Sequence, residues 1–375
     1  METRLSKVLY FTRDYSTHDH RFLSALAGSP YQVYFLRLEQ RGRQLEYRPL
    51  PPGVEQISWR GGQTPVSLAN YPALVGDLRR VIRKVQPDVI HAGPVQSAAF
   101  LAALSGFQPL VSMSWGSDML IDANLNPWMR LVTRYTLNRT TVMVADCQAV
   151  QVEATQFGFP ADKMVLFPWG VDLQRFQPGN ANGFRRRKNW QTAFVVLSLR
   201  SWEPLYGVDV LVRGFARAAH QLPNLRLLLL GGGTQEGLLR RILVEHGVWE
   251  RVHFGGQVSQ NDLPLFYQVA DLYVSASHSD GSSVSLMEAM ASGLPALVSD
   301  IPGNKEWITP GREGWLFKDG DDQAVTDGIL SAYQQRERLP VLGQAARKVA
   351  ENRADWQHNF LRLLEAYQLA INGRK

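Results

Sequence analysis

The sequence has little of what a secreted, membrane-spanning or disulfide-held protein needs. Its 375 residues include a single cysteine, Cys147, so an intrachain disulfide framework is excluded. No apolar run approaches the ~20 residues that cross a bilayer. The apolar run at residues 8–11 is also too short for the core of a signal peptide. We therefore expect a cytoplasmic protein.

Patterns that mark several other chemistries are also missing. The sequence has no internal repeat, no zinc-type ligand spacing and no Gly-x-Ser-x-Gly elbow. Asp319-Gly320-Asp321-Asp322 is similar to a metal-binding Asp-x-Asp, but it lies in a turn and lacks the further oxygen ligands of a divalent-cation site. We therefore predict neither a metal nor a cofactor.

The charge balance is basic, with 40 Lys and Arg against 34 Asp and Glu and a net charge of +6. Such a balance is compatible with nucleic acid, anionic lipid or phosphorylated substrates as partners. The densest basic run, Arg185–Lys188, lies among Asn and Gly residues. We interpret it as a solvated linker face, with a membrane or phosphate contact as the alternative, and we expect no nucleic acid.

Short apolar segments alternate with amphipathic segments along most of the chain. Several are apolar throughout, as in strands whose sheet is covered on both faces. The alternation predicts parallel, doubly wound α/β architecture. The predicted strands cover residues 7–11, 31–36, 89–92, 110–115, 141–145, 164–167, 194–199, 225–230, 252–254, 272–275 and 295–298, and the clearest predicted helices cover residues 74–85, 208–220, 237–246 and 284–291.

The alternation pauses once, at residues 178–191, which are rich in Gly and Asn. We predict a linker there, between an N-terminal domain at 1–177 and a C-terminal domain at 192–355. A chain of this length can bury one core in each domain. The stretch 356–375 has apolar residues at helical spacing, and we expect it to pack back on the N-terminal domain.

The most informative segment, residues 270–295, reads as a strand, a polar turn, a helix and a second strand. The turn from Asp280 to Ser283 lies at the helix N-terminus, where free N–H groups and the helix dipole favour an anion. Glu288 lies one turn further on, among apolar neighbours, where a carboxylate needs a partner. Taken alone, the segment also fits helix capping and a structural ion pair.

The spacing Asp280-x7-Glu288, followed by Ala289-Met290-Ala291-Ser292-Gly293-Leu294-Pro295, resembles the donor-site signature of glycosyltransferase family 4. These are retaining enzymes of the GT-B fold, which has two Rossmann-like α/β domains facing a central cleft. The resemblance implies that Glu288 holds the donor ribose and that Asp280 contacts the sugar near the reacting centre. It also implies that Gly281, Ser282, Ser283 and Val284 bind the diphosphate. Asp280 is one methylene shorter than the family's usual Glu.

Other stretches extend the resemblance over nearly the whole chain. They are Pro87–Ala92, Val165–Asp172 with Phe176, and Arg251–Val258, the last matching the loop that meets the nucleotide base and so implicating Gln257 and Val258. Arg200 matches a diphosphate-binding arginine, with a structural ion pair as the alternative. Tyr206 stands where the family has a lysine, as a cleft contact or a packing residue. Gly231–Gly237 lacks the third glycine of a dinucleotide site, so we interpret it as a glycine turn near the donor.

Six residues of the N-terminal half are candidate acceptor or cleft residues. His18, Asp19, His20 and Arg21 are expected in a loop where relatives have paired glycines, either contacting acceptor or leaving phosphate or lying on the surface. Trp115 occupies the position of a histidine that faces the sugar in many relatives. Asp118 is interpreted as a cap or turn residue, or else a cleft residue. His91 is interpreted as structural.

The resemblance implies retaining transfer of a sugar from a nucleoside diphosphate sugar, of the UDP or GDP type, to a hydroxyl acceptor. That acceptor would be a glycan, a lipid-linked saccharide or a small molecule. The leaving phosphate would accept the acceptor's proton, so that positioning and charge stabilisation dominate. The alternatives are a GT-B sugar-nucleotide epimerase and a catalytically silent nucleotide-sugar-binding protein. Peripheral association with the inner face of a membrane is a further expectation from the basic charge.

Overall fold

Residues 5–38, 46–62 and 67–373, which the computed structural model describes, divide into two α/β units. Unit 1 comprises Met1–Phe167 and Phe360–Lys375, and unit 2 comprises Pro168–Asn359. The division therefore falls ten residues before the boundary expected at 177. No helix in the described ranges is long and apolar enough to traverse a bilayer.

Unit 1 is built on a parallel sheet with the strand order β3-β2-β1-β4-β5-β6-β7. Its strands are β1 Ser6–Thr12, β2 Tyr31–Arg37, β3 Val54–Gln56, β4 Val89–Gly93, β5 Leu110–Met113, β6 Val142–Ala145 and β7 Met164–Leu166. Its helices are α1 Thr17–Ala27, α2 Tyr71–Val85, α3 Phe100–Ser105, α4 Ser117–Leu120, α5 Pro127–Arg139 and α6 Gln148–Gln156. The central strands β4, β5 and β6 are buried along their whole length, as continuous apolar runs require.

Helix α1 corrects the loop expected at residues 18–21. Ser16 caps its N-terminus, and the Asp19 side chain accepts from the Ser16 backbone N–H in return. This reciprocal pair is a capping box, and the Ser-x-x-Asp spacing that predicts it is present in the sequence. His18, His20 and Arg21 therefore lie in the first turns of a helix.

Unit 2 is built on a second parallel sheet, with the strand order β10-β9-β8-β11-β12-β13. Its strands are β8 Phe194–Ser198, β9 Leu225–Leu230, β10 Val252–Gly256, β11 Leu272–Ser275, β12 Ala296–Ser299 and β13 Gly314–Phe317. Its helices are α7 Asn182–Arg187, α8 Val208–Gln221, α9 Glu236–Glu245, α10 Leu263–Val269, α11 Val284–Ala291, α12 Pro302–Lys305, α13 Asp322–Gln334 and α14 Leu339–Arg353. The strand order changes direction between β8 and β11, which makes their shared edge the topological switch point of this unit.

The structure corrects the linker expected at 178–191, because this stretch belongs to unit 2. It forms α7, and Phe184 and Trp190 are buried in the core beside β8. Arg185 pairs with Asp271 at 2.8 Å and donates to the carbonyl oxygen of Val269 at 2.6 Å, so it is not a solvated linker charge. Two buried aromatic residues and an ion pair thus tie this polar, Gly- and Asn-rich segment to unit 2.

The last helix, α15 Trp356–Asn372, begins in unit 2 and ends in unit 1. Within unit 1, its Tyr367 hydroxyl lies 2.5 Å from Nδ1 of His91 and its ring packs edge-on against Tyr31. His91 is buried, and burial lowers its pKa to about 3. His91 is therefore a neutral, structural residue of β4.

Candidate functional site

The polar side chains of residues 200 and 280 follow the two strands that meet at the switch point of unit 2. Arg200 follows β8, and Asp280 lies in the loop between β11 and α11. Because parallel strands end at the same edge of a sheet, ligands bind at this edge in doubly wound folds. The Arg200 Nη2 and Asp280 Oδ2 atoms are 2.7 Å apart.

Arg200 is the centre of the cluster. Its Nη1 donates to the hydroxyls of Ser283 at 2.9 Å and Ser285 at 3.2 Å. Its guanidinium carbon lies 4.3 Å from the centroid of the Tyr206 ring, a cation–π distance. Burial alone would lower the pKa of this guanidinium, but attraction to Asp280 and to nearby tyrosines outweighs burial and raises it. Arg200 is thus held in place and stays positively charged, and the ring of Tyr206 packs against its guanidinium.

Glycines allow the neighbouring backbones to approach this cation closely. A Cβ at Gly231 would lie 2.7 Å from the carbonyl oxygen of Arg200, and a Cβ at Gly233 would lie 2.5 Å from that of Trp202. Gly207, at φ +55°, lies so close to Ala276 that a Cβ would overlap its carbonyl oxygen. The Gly-rich turn after β9 therefore supports the Arg200 loop by close backbone contact.

The N-terminus of α11 forms the opposite side of the cluster. Ser283 is the N-cap residue and Val284 is the first helical residue. The Ser282 hydroxyl accepts from Nε1 of Trp307 at 3.2 Å. A Cβ at Gly303 would overlap the carbonyl oxygens of Asp280 and Gly281, so the turn is held tightly against α12. The first-turn N–H groups of α11 thus lie beside a fixed cation, an arrangement that favours an anion.

Glu288 is buried in the middle of α11, at 6% exposure. The Tyr267 hydroxyl donates to its Oε2 at 2.7 Å and to the carbonyl oxygen of Ser285 at 3.2 Å. Burial first, and then the charge of Glu288, raise the pKa of Tyr267 well above its usual value, so the phenol remains a donor. This hydrogen bond explains how an apolar helix carries a carboxylate.

Sequence reasoning missed three members of this cluster. Tyr267 and Tyr273 gave no signal, because aromatic residues in apolar segments are ordinary core residues. Ser285, whose hydroxyl lies 2.8 Å from that of Tyr273, was a polar residue in the first turn of α11 and could have been found.

The predicted base-binding residues Gln257 and Val258 follow β10, with Gln257 exposed and Val258 packed against the core.

The Asp-x-Asp sequence has structural partners. Asp319 Oδ1 lies 2.7 Å from Nδ1 of His278, a residue that sequence reasoning also missed. Asp321 is the N-cap of α13 and accepts from the N–H of Ala324. Across residues 5–38, 46–62 and 67–373, no three His, Cys, Asp or Glu side chains are grouped to hold a metal.

The two candidate carboxylates of unit 1 are structural. Asp19 is buried in the capping box and accepts from the Tyr10 hydroxyl at 3.1 Å, and burial raises its pKa to about 6. Asp118 is buried and accepts from the backbone N–H groups of Val95 and Trp115, each at 2.9 Å. Asp118 therefore has the contacts of a cap or turn residue, which is one of its two interpretations, and Asp19 lies in a helix cap rather than in a loop.

The remaining candidates of unit 1 are partly exposed. The His18 and Trp115 rings lie 5.9 Å apart, beyond the ends of β1 and β5. His20 lies against the Tyr15 ring at 6.3 Å, and Arg21 lies on α1. His18 and Trp115 are thus brought together by the fold.

Two family models match the chain. The model for glycosyl transferases group 1 matches residues 182–349, and the model for glycosyl transferase 4-like proteins matches residues 7–146. The first match lies within unit 2 and the second within unit 1.

Two curated proteins illustrate the similarity. The GDP-mannose-dependent alpha-(1-6)-phosphatidylinositol monomannoside mannosyltransferase of Mycolicibacterium smegmatis is 24% identical over 350 residues, covering 88% of this chain and 90% of that protein. The D-inositol 3-phosphate glycosyltransferase of Nocardia farcinica is 30% identical over 223 residues, covering 57% of this chain and 49% of that protein. The match therefore spans about half the length of the second relative.

Two solved structures share the fold. Anabaena HepE in complex with UDP has a TM-score of 0.79 at 20% identity, covering 96% of this chain and 99% of that one. Sucrose-phosphate synthase from Thermosynechococcus elongatus has a TM-score of 0.80 at 19% identity, covering 98% of this chain and 100% of that one. The two-unit architecture is therefore that of these proteins.

Proposed function

We propose that this chain, which belongs to the glycosyl transferases group 1 and is a glycosyltransferase of the GT-B type, transfers a sugar with retention of configuration. The donor is a nucleoside diphosphate sugar and the acceptor is a hydroxyl group. The observation that carries this proposal is the Arg200 cluster at the switch point of unit 2. There a fixed cation, a helix N-terminus and the Asp280 carboxylate lie at one edge of the sheet, and the Glu288 carboxylate is buried further along the same helix.

The donor's diphosphate is the group for which Arg200 and the α11 N-terminus are suited. A guanidinium offers two parallel donors to phosphate oxygens. The Ser282, Ser283 and Val284 backbone lies at the positively polarised end of the helix. Tyr206, beneath the guanidinium, keeps it from turning away.

Glu288 is assigned to the ribose hydroxyls and Asp280 to the transferred sugar. Tyr267 fixes the orientation of the Glu288 carboxylate, which makes it a preorganised acceptor for hydroxyl groups. Asp280 is held by Arg200, so the sugar contact and the diphosphate contact are mechanically joined. A displacement of the bound sugar would then move the diphosphate contact, and a displacement of the diphosphate would move the sugar contact.

In the proposed reaction, the acceptor oxygen forms its bond on the sugar face from which the diphosphate departs. The electron pair of the breaking bond goes to the diphosphate, and a phosphate oxygen takes the acceptor's proton. Arg200 offsets the negative charge that grows on the leaving group. The chain's own contribution is therefore positioning and charge stabilisation.

The donor is proposed to be a UDP or GDP sugar. The mycobacterial relative is named as GDP-mannose-dependent and makes an alpha linkage, and HepE is described in complex with UDP. The acceptor is proposed to be a glycan, a lipid-linked saccharide or a small molecule, and the protein to be cytoplasmic. Catalysis is proposed to need no metal.

The experiment is a thermal-shift panel of nucleotide sugars, followed by a transfer assay with the sugar that raises the thermal midpoint most. Transfer to a hydroxyl acceptor, with the donor's anomeric configuration kept in the product, supports the proposal. Donor conversion without acceptor would identify an epimerase. Tight binding without turnover across a broad acceptor panel would identify a silent binding protein.

A further inference from the structure

An exposed apolar patch lies on unit 1, at the start of α5. Leu125, Trp128 and Leu131 are exposed by 62%, 46% and 59%. Leu125 precedes the Asn126 N-cap, and Trp128 and Leu131 are three residues apart, which places them on one helical face. Three large apolar side chains in water within seven residues need a partner surface.

The opposite face of α5 is already used. Val132, Thr133, Thr136 and Leu137 are buried, and the Thr136 hydroxyl donates to the carbonyl oxygen of Val132. The helix is therefore anchored in unit 1 by one face and presents the other outward. Its Pro127 and the Asn126 cap fix where the helix begins, and so set the positions of Trp128 and Leu131 on its outer face.

The same helix carries basic residues and no acidic residue of its own. Arg130, Arg134 and Arg139 lie on it, and no Asp or Glu occurs from residue 123 to residue 145. Arg130 and Arg139 lie over the rings of Phe157 and Tyr135. Among the ion pairs of the described residues, none includes an arginine of α5.

We propose that this face of α5 docks on an anionic lipid bilayer, with Trp128 and the two leucines entering the interface and the arginines meeting lipid phosphates. Tryptophan and leucine beside arginine is the combination that interfacial helices use. A second copy of this chain fits less well. In a two-fold symmetric contact the patch would meet a second copy of itself, which brings two sets of α5 arginines to one interface and supplies no acidic residue of α5 to pair with them. The inference does not rest on the proposed sugar transfer.

The experiment is flotation of the full chain with phosphatidylglycerol-containing vesicles and with phosphatidylcholine vesicles. The wild type is expected to bind the anionic vesicles and to be released as salt is raised. Trp128→Ser/Leu131→Ser is expected to lower binding at least tenfold. Arg134→Gln is expected to lower it about fivefold, the usual effect of one basic residue near an anionic surface.

The matched control is Val244→Ser/Val341→Ser, which removes two apolar side chains of 62% and 67% exposure from helices of unit 2. It is expected to bind vesicles as the wild type does. Circular dichroism and thermal midpoints establish that each variant is folded. Absent wild-type binding to anionic vesicles, or equal binding by Trp128→Ser/Leu131→Ser, would overturn the proposal. If the wild type does not bind and sedimentation shows a dimer that the same variant abolishes, the face is instead a contact between copies.

Discussion

Replacing Arg200 by alanine should separate its role in the site from its role in the fold. The substitution removes the partner of Asp280, two hydrogen bonds to serine hydroxyls and the cation above Tyr206. If Arg200 grips the donor diphosphate, the substitution should also remove the main positive charge that meets the leaving group. Loss of kcat should then exceed what loss of stability explains.

The two magnitudes follow from the geometry. Removing one partner of a buried ion pair costs about 3–5 kcal/mol of stability. Because the Arg200 and Asp280 side chains retain 13% and 21% exposure, we expect a cost at the lower end of that range, about 3 kcal/mol. Removing one preorganised donor to a developing charge costs ~2.7–4 kcal/mol of transition-state stabilisation. We therefore expect kcat to fall by about two to three orders of magnitude.

The matched control is Arg185→Ala. Arg185 and Asp271 form a similar pair in the same unit, with their nearest atoms 2.8 Å apart and side-chain exposures of 17% and 28%. Asp271 precedes β11, whereas Asp280 follows it. The control should lose comparable stability and keep its kcat. Arg200→Lys should recover only part of the activity, because the planar two-pronged grip is lost.

The assay is kcat at saturating donor, measured well below the melting temperature of each variant, with urea unfolding measured in parallel. A fall in kcat of less than tenfold would refute the role of Arg200 in charge stabilisation. So would an equal fall in Arg185→Ala. The diphosphate clamp would then consist of other residues.

Four further outcomes are expected. Glu288→Gln should weaken nucleotide binding by roughly 1–3 kcal/mol in calorimetry, the cost of a lost charge-assisted hydrogen bond; unchanged affinity would reject the ribose role. Asp280→Asn should lower kcat far more than it weakens binding of the free nucleotide, and equal effects would assign it to the nucleotide or to the turn. Activity should survive excess chelator, since Asp319 and Asp321 are engaged with His278 and the α13 backbone; loss that magnesium restores would overturn this. Finally, His91 binds its proton in the unfolded chain near pH 6.5 but only near pH 3 when folded. The contribution of His91 to the unfolding free energy should therefore fall as pH drops through that window, by about 2 kcal/mol at pH 5. In urea titrations, the difference in stability between the wild type and His91→Gln should change by that amount between pH 7.5 and pH 5.

The sequence alone determined the α/β architecture and the segment that carries the candidate site. Buried parallel strands are continuous apolar runs, so most strand positions followed from composition. The turn between Asp280 and Val284 was recognisable because its spacing to Glu288 is local along the chain. Two strands were missed, β3 and β13. Gly314 opens β13 because a Cβ there would overlap the carbonyl oxygen of Ala296.

The tertiary structure decided which residues complete the site. Arg200 lies 80 positions before Asp280, and only the pairing of β8 with β11 brings their loops together. The same holds for Tyr267, which reaches Glu288 from α10. Neither pair is marked in the sequence by a repeating pattern or by a short, fixed spacing.

Burial also had to be seen before the remaining polar residues could be assigned. The sequence left Asp19 and Asp118 each with two alternatives, and the structure shows that each accepts hydrogen bonds from donors of its own unit. The stretch 178–191 has a linker's composition, but Phe184 and Trp190 are core residues. A sequence states which groups are polar or apolar, whereas the partner that satisfies a buried group comes from another part of the chain, and only folding brings that part into contact.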